Sequence, residues 1–360
     1  MWWRWLILTV LFGLTVLPAQ AQNRYASMIL DADTLDVLHA RQIDETRYPA
    51  SLTKIMTLHL VFDALDAGTL TLNEQVTVSR NAARTPPVKL GLRAGQKITV
   101  EELIQSVAVR SHNDSAVVLA ERLGGTEANF AKMMNAKAAE LAMYRTVFRT
   151  ANGLPHPEQV TTARDMSKLA HSILTTHRAR YRYFGQKYFR GQKNTNALLH
   201  DMPGVDGFKT GYTNASGYNL MVSATRNGRR QITIILGGAS GKSRNQHMRD
   251  LVERGFKVMN NVPEGSPPLR LAIAPPPTAI LRGANAPVKA GFWSVAIRNL
   301  PSEDLALQTA QTLAPKAPVT LSSGFLRGQP VFHAKLSGLS AQDAKSLCKT
   351  AQSTCWLIAP

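Results

Sequence analysis

The chain has 360 residues, of which 44% are hydrophobic and 18% charged. This length exceeds one small module, and the composition excludes a protein that is disordered throughout and a polytopic membrane protein. Lysines and arginines (42) outnumber aspartates and glutamates (24), and the net charge of +18 favours an anionic partner. The two cysteines are too few for a disulfide scaffold or a multi-cysteine metal cluster.

The first 21 residues have the parts of a secretory signal peptide. Arg4 precedes an apolar run from Trp5 to Leu17, and Ala19-Gln-Ala21 is a small-x-small cleavage site. The run has about 13 residues, whereas a membrane-spanning helix needs ~20. We therefore predict cleavage after Ala21 and export to the periplasm or cell envelope, which makes a nucleic-acid partner improbable.

Residues 22–260 are predicted to form one domain with strands at both ends and helices between them. Strands are predicted at residues 25–31 and 36–40, and again at 217–226 and 231–237 around the hairpin signal Arg226-Asn-Gly-Arg. Helical patterns cover residues 51–66, 100–108, 115–123, 127–141, 162–175 and 245–259. This order suggests a sheet that is completed by both ends of the domain and covered by helices.

A proline-rich segment separates this domain from a smaller C-terminal one. Residues 261–290 hold seven of the 19 prolines and predict an extended linker. In residues 291–360, strands are predicted at 293–297, 319–326, 331–336 and 355–358, and helices at 302–313 and 340–352. That β-α-β-β-α-β order is the split βαβ arrangement.

The tetrad Ser51-Leu-Thr-Lys54 places a hydroxyl and an amine three residues apart at the start of a predicted helix. Residues three apart share a helix face, so we expect Lys54 to reach the Ser51 hydroxyl. Serine becomes a good nucleophile when a base removes its proton, and lysine can be that base when burial or nearby cations lower its pKa. Such tetrads are common in helices, so the spacing alone does not establish a catalytic pair.

Two further polar motifs follow. Ser111-His-Asn113 precedes an Ala/Val-rich helix and could relay a proton and hold a substrate amide, or it could be a turn with a helix cap. Lys209-Thr-Gly211 comes just before a strand pattern. There an edge strand could pair with an extended peptide while Lys209 and Thr210 face a carboxylate, or the motif could be a basic turn.

The three motifs occur in the order S-x-x-K, S-x-N and K-T-G, a set shared by class A β-lactamases and penicillin-binding proteins. His112 stands where that set often has Asp. The surrounding sequences are more specific, among them Pro49-Ala-Ser-Leu-Thr-Lys-Ile-Met-Thr, Asn152-Gly-Leu-Pro and Gly204-Val-Asp-Gly-Phe-Lys-Thr-Gly-Tyr-Thr. On these residues, the chain from Tyr25 to Asn260 resembles the low-molecular-mass penicillin-binding proteins that act as D-alanyl-D-alanine carboxypeptidases.

The resemblance implies a serine peptidase with an α/β (α+β) fold of the penicillin-binding/β-lactamase-like class. In that fold an antiparallel sheet flanked by helices adjoins a helical subdomain, and the site lies between them. By resemblance, Ser51 attacks the penultimate D-alanine of a peptidoglycan stem peptide and Lys54 takes its proton. Ser111 returns a proton to the leaving D-alanine.

The resemblance also implies how substrate is held. Asn113 holds the peptide amide or Lys54, and Lys209, Thr210 and Gly211 meet the terminal carboxylate. Arg244 matches the family's carboxylate-binding arginine, with a solvated turn arginine as the alternative. β-Lactams are expected as covalent inhibitors, and no cofactor or metal is expected. The family's usual β-rich second domain and amphipathic C-terminal membrane anchor are not expected here.

Residues 291–360 resemble a SPOR domain through their split βαβ order, the opening Phe292-Trp-Ser-Val and the closing Cys348 and Cys355. Such domains bind septal glycan strands stripped of peptides, so glycan strands are an expected partner. Ala296-Ile-Arg replaces the usual Gln-Val-Gly. In an oxidising compartment Cys348 and Cys355 could form a disulfide bond. The alternative is a plain α+β module.

The sequence also bears on functions other than that of a carboxypeptidase. A β-lactamase would need an acidic residue to activate the deacylating water, and the nearest candidate, Glu158, lacks a companion asparagine. The intact motifs disfavour an inactive cell-wall-binding protein, whereas the sequence leaves a DD-endopeptidase open. The nine histidines form no H-E-x-x-H pattern, which disfavours a zinc peptidase.

Overall fold

The fold is described from a computed structural model of the chain. The structure describes residues 24–261, 293–300, 303–314, 319–326, 329–350 and 355–358. The predicted signal peptide lies outside the described residues, as does the predicted linker apart from its first residue.

The elements of residues 24–261 can be given in chain order. They are β1 (Ala26–Asp31), β2 (Val37–Arg41), α1 (Thr53–Asp66), β3 (Gln75–Thr77), α2 (Arg80–Ala83), β4 (Lys97–Thr99), α3 (Val100–Gln105), α4 (Asn113–Gly124), α5 (Glu127–Glu140), α6 (Ala163–Thr176), β5 (Tyr188–Phe189), β6 (Gln192–Lys193), α7 (Leu198–Asp201), β7 (Val205–Thr213), β8 (Gly217–Arg226), β9 (Arg229–Gly238) and α8 (Gly241–Asn261).

A five-stranded antiparallel sheet has the order β2-β1-β9-β8-β7. Strand β1 pairs with β9, with Ala26 opposite Leu236, so the two ends of this region complete one sheet. The sequence pattern predicted this closure. The β8–β9 turn is tight because Asn227 and Gly228 both adopt positive φ, at 50° and 74°, as a two-residue hairpin requires.

Successive residues of the strands face opposite sides of this sheet, and each side packs on helices. On one side Met28, Leu30 and Ile234 join the larger core, which includes α1. On the other side Ile29 and Ile235 pack against apolar residues of α8. The sheet is therefore a buried central layer, and β7 is left as an edge strand.

Helix α1 lies inside the larger core. The sequence pattern places its apolar residues on or near one face, but the structure buries residues on every side, including Lys54, Thr57 and His59. A helix that is buried all round is expected in the centre of a large domain. Its polar residues therefore need partners inside the protein.

Two local predictions are corrected by the structure. The predicted helix at residues 100–108 is divided, because α3 ends at Gln105 and one π-helical turn follows over Ser106–Arg110. Ser111 then ends this turn in the left-handed conformation, with φ 65°. The K-T-G motif lies inside β7 rather than before a strand. Gly207 and Gly211 lie within this strand, and because glycine is rare in strands the sequence pattern did not indicate one.

The C-terminal elements have the predicted β-α-β-β-α-β order. They are β10 (Trp293–Leu300), α9 (Glu303–Leu313), β11 (Val319–Leu326), β12 (Gln329–Leu339), α10 (Ala341–Thr350) and β13 (Cys355–Ile358). The sheet order is β11-β12-β10-β13, and all neighbours are antiparallel. Val295, Ile297 and Leu336 belong to a small core.

Cys348 of α10 is disulfide-bonded in the structure, and the sequence contains one other cysteine, Cys355. Within the described parts of the chain, no helix combines the length and the apolar character needed to cross a membrane.

Candidate active site

Ser51 lies in the middle of a 3-10 turn that directly precedes α1. The preceding residue, Ala50, has φ 48°, in a region that residues other than glycine rarely adopt. The surroundings must therefore hold this turn in place. Asn219 of β8 contributes, since its Nδ2 donates to the carbonyl oxygens of Tyr48 (2.9 Å) and Pro49 (3.0 Å).

Two glycines allow other backbone segments to approach this turn. A Cβ atom on Gly211 of β7 would lie 3.0 Å from the Ser51 backbone nitrogen. A Cβ atom on Gly153 would lie only 2.0 Å from the Ala50 carbonyl oxygen. The third motif therefore runs directly beside the turn of residues 50–52, here called the nucleophile turn because Ser51 is the predicted nucleophile. The Ser51 N–H and the backbone of β7 are close enough to be considered as an oxyanion hole.

Lys54 lies one turn after Ser51 and is completely buried. Its Nζ is 3.0 Å from Ser51 Oγ and 2.8 Å from Asn113 Oδ1, and it also contacts the carbonyl oxygen of Asn152. Burial, reinforced by the positive charge of Lys209, lowers the pKa of Lys54 well below its ordinary value. The amine is thus placed and tuned to act as a base.

The three partners of Lys54 also fix the direction of its lone pair. The Asn113 Oδ1 and Asn152 carbonyl oxygens can only accept hydrogen bonds. When Lys54 is neutral, its amine has two N–H groups and one lone pair, and these two oxygens take both N–H groups. The lone pair then faces Ser51, whose hydroxyl is the one partner able to donate. This arrangement prepares the transfer of the Ser51 proton to Lys54.

The second motif supplies a fixed amide and a free hydroxyl. Asn113 is held from both sides, since Oδ1 accepts from Lys54 and Nδ2 donates to the Pro87 carbonyl oxygen at 3.0 Å. Of the two predicted roles for Asn113, the structure shows the contact with Lys54. The Ser111 hydroxyl is buried and has no hydrogen-bond partner in the structure, as expected of a group that meets substrate.

His112 and Asp114 make hydrogen bonds that hold the second motif in place. His112 Nδ1 is 2.9 Å from Ser106 Oγ, and burial lowers the pKa of His112 to about 4, so its ring is neutral at pH 7. The Asp114 carboxylate accepts backbone N–H groups from residues 90–92. These contacts position the loop that also bonds to Asn113.

The third motif brings further cations to the site. Lys209 is buried, and its pKa is lowered to about 7 by burial together with the charges of Arg110 and Arg244. Its Nζ has one long contact, 3.4 Å, to the Thr210 carbonyl oxygen. The Thr210 hydroxyl oxygen lies 2.8 Å from that of Thr195.

Arg244 lies in α8 and is only 8% exposed, so the alternative of a solvated turn arginine is wrong. Its Nη1 donates to the Asn219 carbonyl oxygen at 2.6 Å, while its buried Nε has no partner in the structure. Burial lowers the pKa of Arg244 to about 10, so it stays charged at pH 7. Together Lys209 and Arg244 suit an anionic group.

The sequence of this chain is similar to those of known proteins. The sequence pattern of the family described as D-alanyl-D-alanine carboxypeptidase (Peptidase_S11) matches residues 16–240, well over half of the chain. The chain belongs to this family. The D-alanyl-D-alanine carboxypeptidase DacF of Bacillus subtilis is 33% identical over 252 residues, 68% of this chain and 64% of that relative. The chain thus spans just under two thirds of that relative's length.

A second relative and a solved structure are also similar to this chain. A relative from Escherichia coli named D-alanyl-D-alanine endopeptidase is 30% identical over 251 residues, 65% of this chain and 78% of its own. The solved penicillin binding protein 5 from Haemophilus influenzae superposes with a TM-score of 0.62 at 34% identity, covering 64% of this chain and 70% of that one. The penicillin-binding/β-lactamase-like fold predicted from the motifs is therefore confirmed.

An open apolar pocket adjoins the nucleophile turn. Its walls include Tyr48, Ala50, Leu154, Pro155 and Thr213. Because Ala50 precedes Ser51 and Thr213 ends β7, the pocket lies beside both the nucleophile turn and the end of β7. Glu158, the residue considered for a β-lactamase, instead has a half-exposed side chain that pairs with Arg149 at 3.1 Å.

Three parts of the site lie outside the three sequence motifs. Asn219 was assigned only to a strand, although an amide in a buried strand is unusual enough to mark it. The Asn152-Gly-Leu-Pro segment was recognised without a role, and the structure shows that it supplies the oxygen contacting Lys54. Thr195 carries no signal in the sequence, because its contact with Thr210 arises from the fold.

Proposed function

We propose that the protein is a serine-type D-alanyl-D-alanine carboxypeptidase that removes the terminal D-alanine from peptidoglycan stem peptides. The observation that carries this proposal is the buried Lys54 amine 3.0 Å from Ser51 Oγ, with its other two contacts made to pure acceptors. A carboxypeptidase also needs a site for a free carboxylate, and Lys209 with Arg244 supplies positive charge there.

In the acylation step, Ser51 Oγ attacks the carbonyl carbon of the penultimate D-alanine while its proton moves to Lys54 Nζ. The carbonyl oxygen becomes an oxyanion, which receives hydrogen bonds from the Ser51 N–H and from the backbone of β7. Because Lys54 is buried and close to Lys209, its protonated form is disfavoured and readily gives the proton up again.

In the second half of acylation, the peptide C–N bond breaks and the leaving D-alanine nitrogen takes a proton. The unpaired Ser111 hydroxyl passes this proton on from Lys54. Lys209, Thr210 and Arg244 hold the terminal carboxylate, with Gly211 allowing β7 to lie close to Ser51. Water then hydrolyses the Ser51 acyl ester and restores the enzyme.

β-Lactams carry a strained amide and a carboxylate, and they would enter the same site. Ring opening by Ser51 would leave a covalent penicilloyl ester. The penicillin-binding name of the structural neighbour supports this assignment for the present chain.

A DD-endopeptidase that cuts cross-links is the second candidate, favoured by the relative that bears this name. Both activities use the same acylation chemistry. They differ in whether the leaving group is a free D-alanine or a D-alanine attached to another strand.

Digestion of purified muropeptides tests the proposal and separates the two activities. Mass spectrometry of monomeric pentapeptides should show loss of one D-alanine, while cross-linked dimers should remain intact. Ser51→Ala should abolish the reaction, whereas Ser243→Ala, at an exposed serine of α8, should not. Cleavage of dimers without D-alanine release would show that the activity is that of an endopeptidase and not of a carboxypeptidase.

We further propose that residues 1–21 direct export and are removed, and that the enzyme (residues 22–260) acts in the periplasm or cell envelope. Residues 261–290 would link it to residues 291–360, a SPOR-like domain that binds glycan strands. The antiparallel four-stranded sheet of β10–β13 supports a split βαβ domain of this kind.

Binding to sacculi tests the role of the C-terminal domain. The full chain should sediment with amidase-treated sacculi, whose glycan strands lack peptides, and a chain ending at residue 260 should not. Glycan recognition should persist in ~0.5 M salt, which screens the attraction between charges. Equal binding by both chains, or complete loss of binding in salt, would exclude the glycan-specific role.

A further inference from the structure

Three side chains converge at the end of α1 that lies away from the proposed active site. His59 and Asp63 lie one helical turn apart on α1, and His177 follows α6 directly. His59 Nδ1 is 3.3 Å from one Asp63 oxygen, and His177 Nε2 is 3.0 Å from the other. The three facing atoms all lie within 4.8 Å of one another.

The two ring nitrogens that face Asp63 are buried, and the Asp63 carboxylate is the group that each of them approaches. His59 and His177 are each only 2% exposed. Although their nitrogens approach the carboxylate, neither has a hydrogen-bond partner of acceptable geometry in the structure. Both nitrogens thus meet the carboxylate at ion-pair distance without a well-formed hydrogen bond, which leaves their lone pairs available to a bound cation.

The opposite ring nitrogens are held by other groups. His177 Nδ1 lies 2.7 Å from Asp66 Oδ2, and a carboxylate there fixes the proton on Nδ1. The lone pair of the neutral ring is then on Nε2, which faces Asp63. His59 Nε2 lies 2.8 Å from Ser172 Oγ, which can fix the second ring in the same way. Such outer contacts are typical of metal-binding histidines.

The distances suit a small divalent ion. Zn²⁺ binds imidazole nitrogen and carboxylate oxygen at about 2.0–2.1 Å, so neighbouring ligand atoms of a tetrahedron are ~3.3 Å apart. The observed nitrogen–oxygen distances are 3.0 and 3.3 Å. The two nitrogens would need to approach each other by at most about 1.5 Å from their limit of 4.8 Å.

The charges around the cluster are mixed. Lys137 Nζ lies 3.2 Å from Asp63 Oδ2 but also 2.5 Å from Glu140 Oε2, so it keeps an acidic partner if an ion takes its place beside Asp63. Arg180 pairs with Asp66 at 2.8 Å.

We propose that His59 Nδ1, the Asp63 carboxylate and His177 Nε2 bind one divalent transition-metal ion of the Zn²⁺ type, with water in the remaining position. The ion would join the C-terminal end of α1 to the end of α6. Asp63 is twelve residues after Ser51, about 18 Å along a helix, so the ion would stabilise the fold without taking part in the proposed peptidase reaction.

The test uses the full chain without a polyhistidine tag, stripped of metal by a chelator. Equilibrium dialysis should show one bound Zn²⁺ per chain, and bound Co²⁺ should give the visible spectrum of tetrahedral coordination. Free Zn²⁺ at ~100-fold above Kd should raise Tm by about 5–10 °C. Asp63→Asn, which keeps the side-chain size, and His177→Gln should each abolish all three effects.

His247→Gln is the matched control, because His247 is an exposed histidine beside Tyr25 and should behave as wild type. The rival explanation is an ion pair in which a doubly protonated His177 donates to both Asp63 and Asp66. A wild-type chain whose Tm varies with pH but not with Zn²⁺ would establish that ion pair and overturn the metal site. Zn²⁺ binding that survives Asp63→Asn would also overturn it, whether or not His177→Gln folds.

Discussion

The two ends of α1 carry polar clusters that differ in charge balance. At the N-terminal end, Lys54 is close to the further cation Lys209, and nearby Asp114 already accepts four backbone N–H groups. At the C-terminal end, Asp63 and Asp66 face histidines and basic residues at ion-pair distance.

This difference separates a reactive site from a stabilising one. Burial, reinforced by the positive charge of Lys209, lowers the pKa of Lys54, and the excess positive charge suits an anionic substrate. At the C-terminal end of α1 the acidic side chains pair with basic ones and with histidines. These pairs hold the helices together and leave no cation in excess. We therefore expect changes at the first cluster to affect the reaction and changes at the second to affect stability.

The largest expected effect is that of Lys54→Arg. Arginine keeps the positive charge but does not deprotonate in a protein, so Ser51 loses its base. Acylation by a fluorescent penicillin should slow by ~10²–10⁴, the range typical of a lost general base. Stopped-flow labelling measures the rate, and circular dichroism checks the fold. A rate near that of wild type would mean that Lys54 is only structural.

Asn219→Ala should have the next largest effect. It removes the amide that donates to the carbonyl oxygens of Tyr48 and Pro49, at a cost of ~1–3 kcal/mol in unfolding free energy. The displaced nucleophile turn should slow acylation on the order of 10- to 100-fold.

Gln231→Ala is the matched control for this variant. Gln231 is also a buried amide of the sheet, but its Nε2 donates to the Val252 carbonyl oxygen of α8 at 2.7 Å. It should lose stability in chemical denaturation while acylating at the wild-type rate. If both variants acylate equally fast, Asn219 does not position Ser51.

A smaller effect is expected from pH, because the pKa of Lys209 is lowered to about 7 by burial, Arg110 and Arg244. Lys209 is charged below this pH and neutral above it, so attraction for the substrate carboxylate declines as pH rises. KM for a D-Ala-D-Ala peptide should increase several-fold between about pH 6 and pH 9, and more than kcat falls.

In Lys209→Arg the guanidinium stays charged over this range, so its KM should vary little with pH. An equal rise of KM in the variant would assign the pH dependence to another group.

The smallest effect on the reaction is expected from Asp63→Asn. Loss of the carboxylate leaves His59 and His177 facing a neutral amide, and the unfolding free energy should fall by ~1–3 kcal/mol. Acylation of the folded protein should be unchanged. A large loss of acylation together with a normal Tm would contradict the division between the two ends of α1.

Local patterns predicted much of the fold. The hairpin at Asn227-Gly228 and the pairing of β1 with β9 follow from turn chemistry and from the positions of apolar strands. The short elements β3 to β6 were not predicted, because two or three residues carry no periodicity. The π-helical turn before Ser111 was also missed, since its residues fit an ordinary helix.

The site was predicted motif by motif but not as a network. Spacing within one helix was enough to bring Lys54 to Ser51. The contacts of Lys54 with Asn113 and Asn152 join segments 59 and 98 residues away, and only tertiary packing creates them. The cluster of His59, Asp63 and His177 could not be predicted for the same reason. His177 is more than 100 residues after Asp63, so the three residues form no compact sequence motif.

Peptide mapping after reaction with penicillin tests the central claim most directly, namely that Ser51 is the nucleophile activated by Lys54. Mass spectrometry of the digested protein should find one penicilloyl group per chain, on the peptide that contains Ser51, and none in Ser51→Ala. An adduct on another serine, or undiminished labelling of Ser51→Ala, would contradict this account.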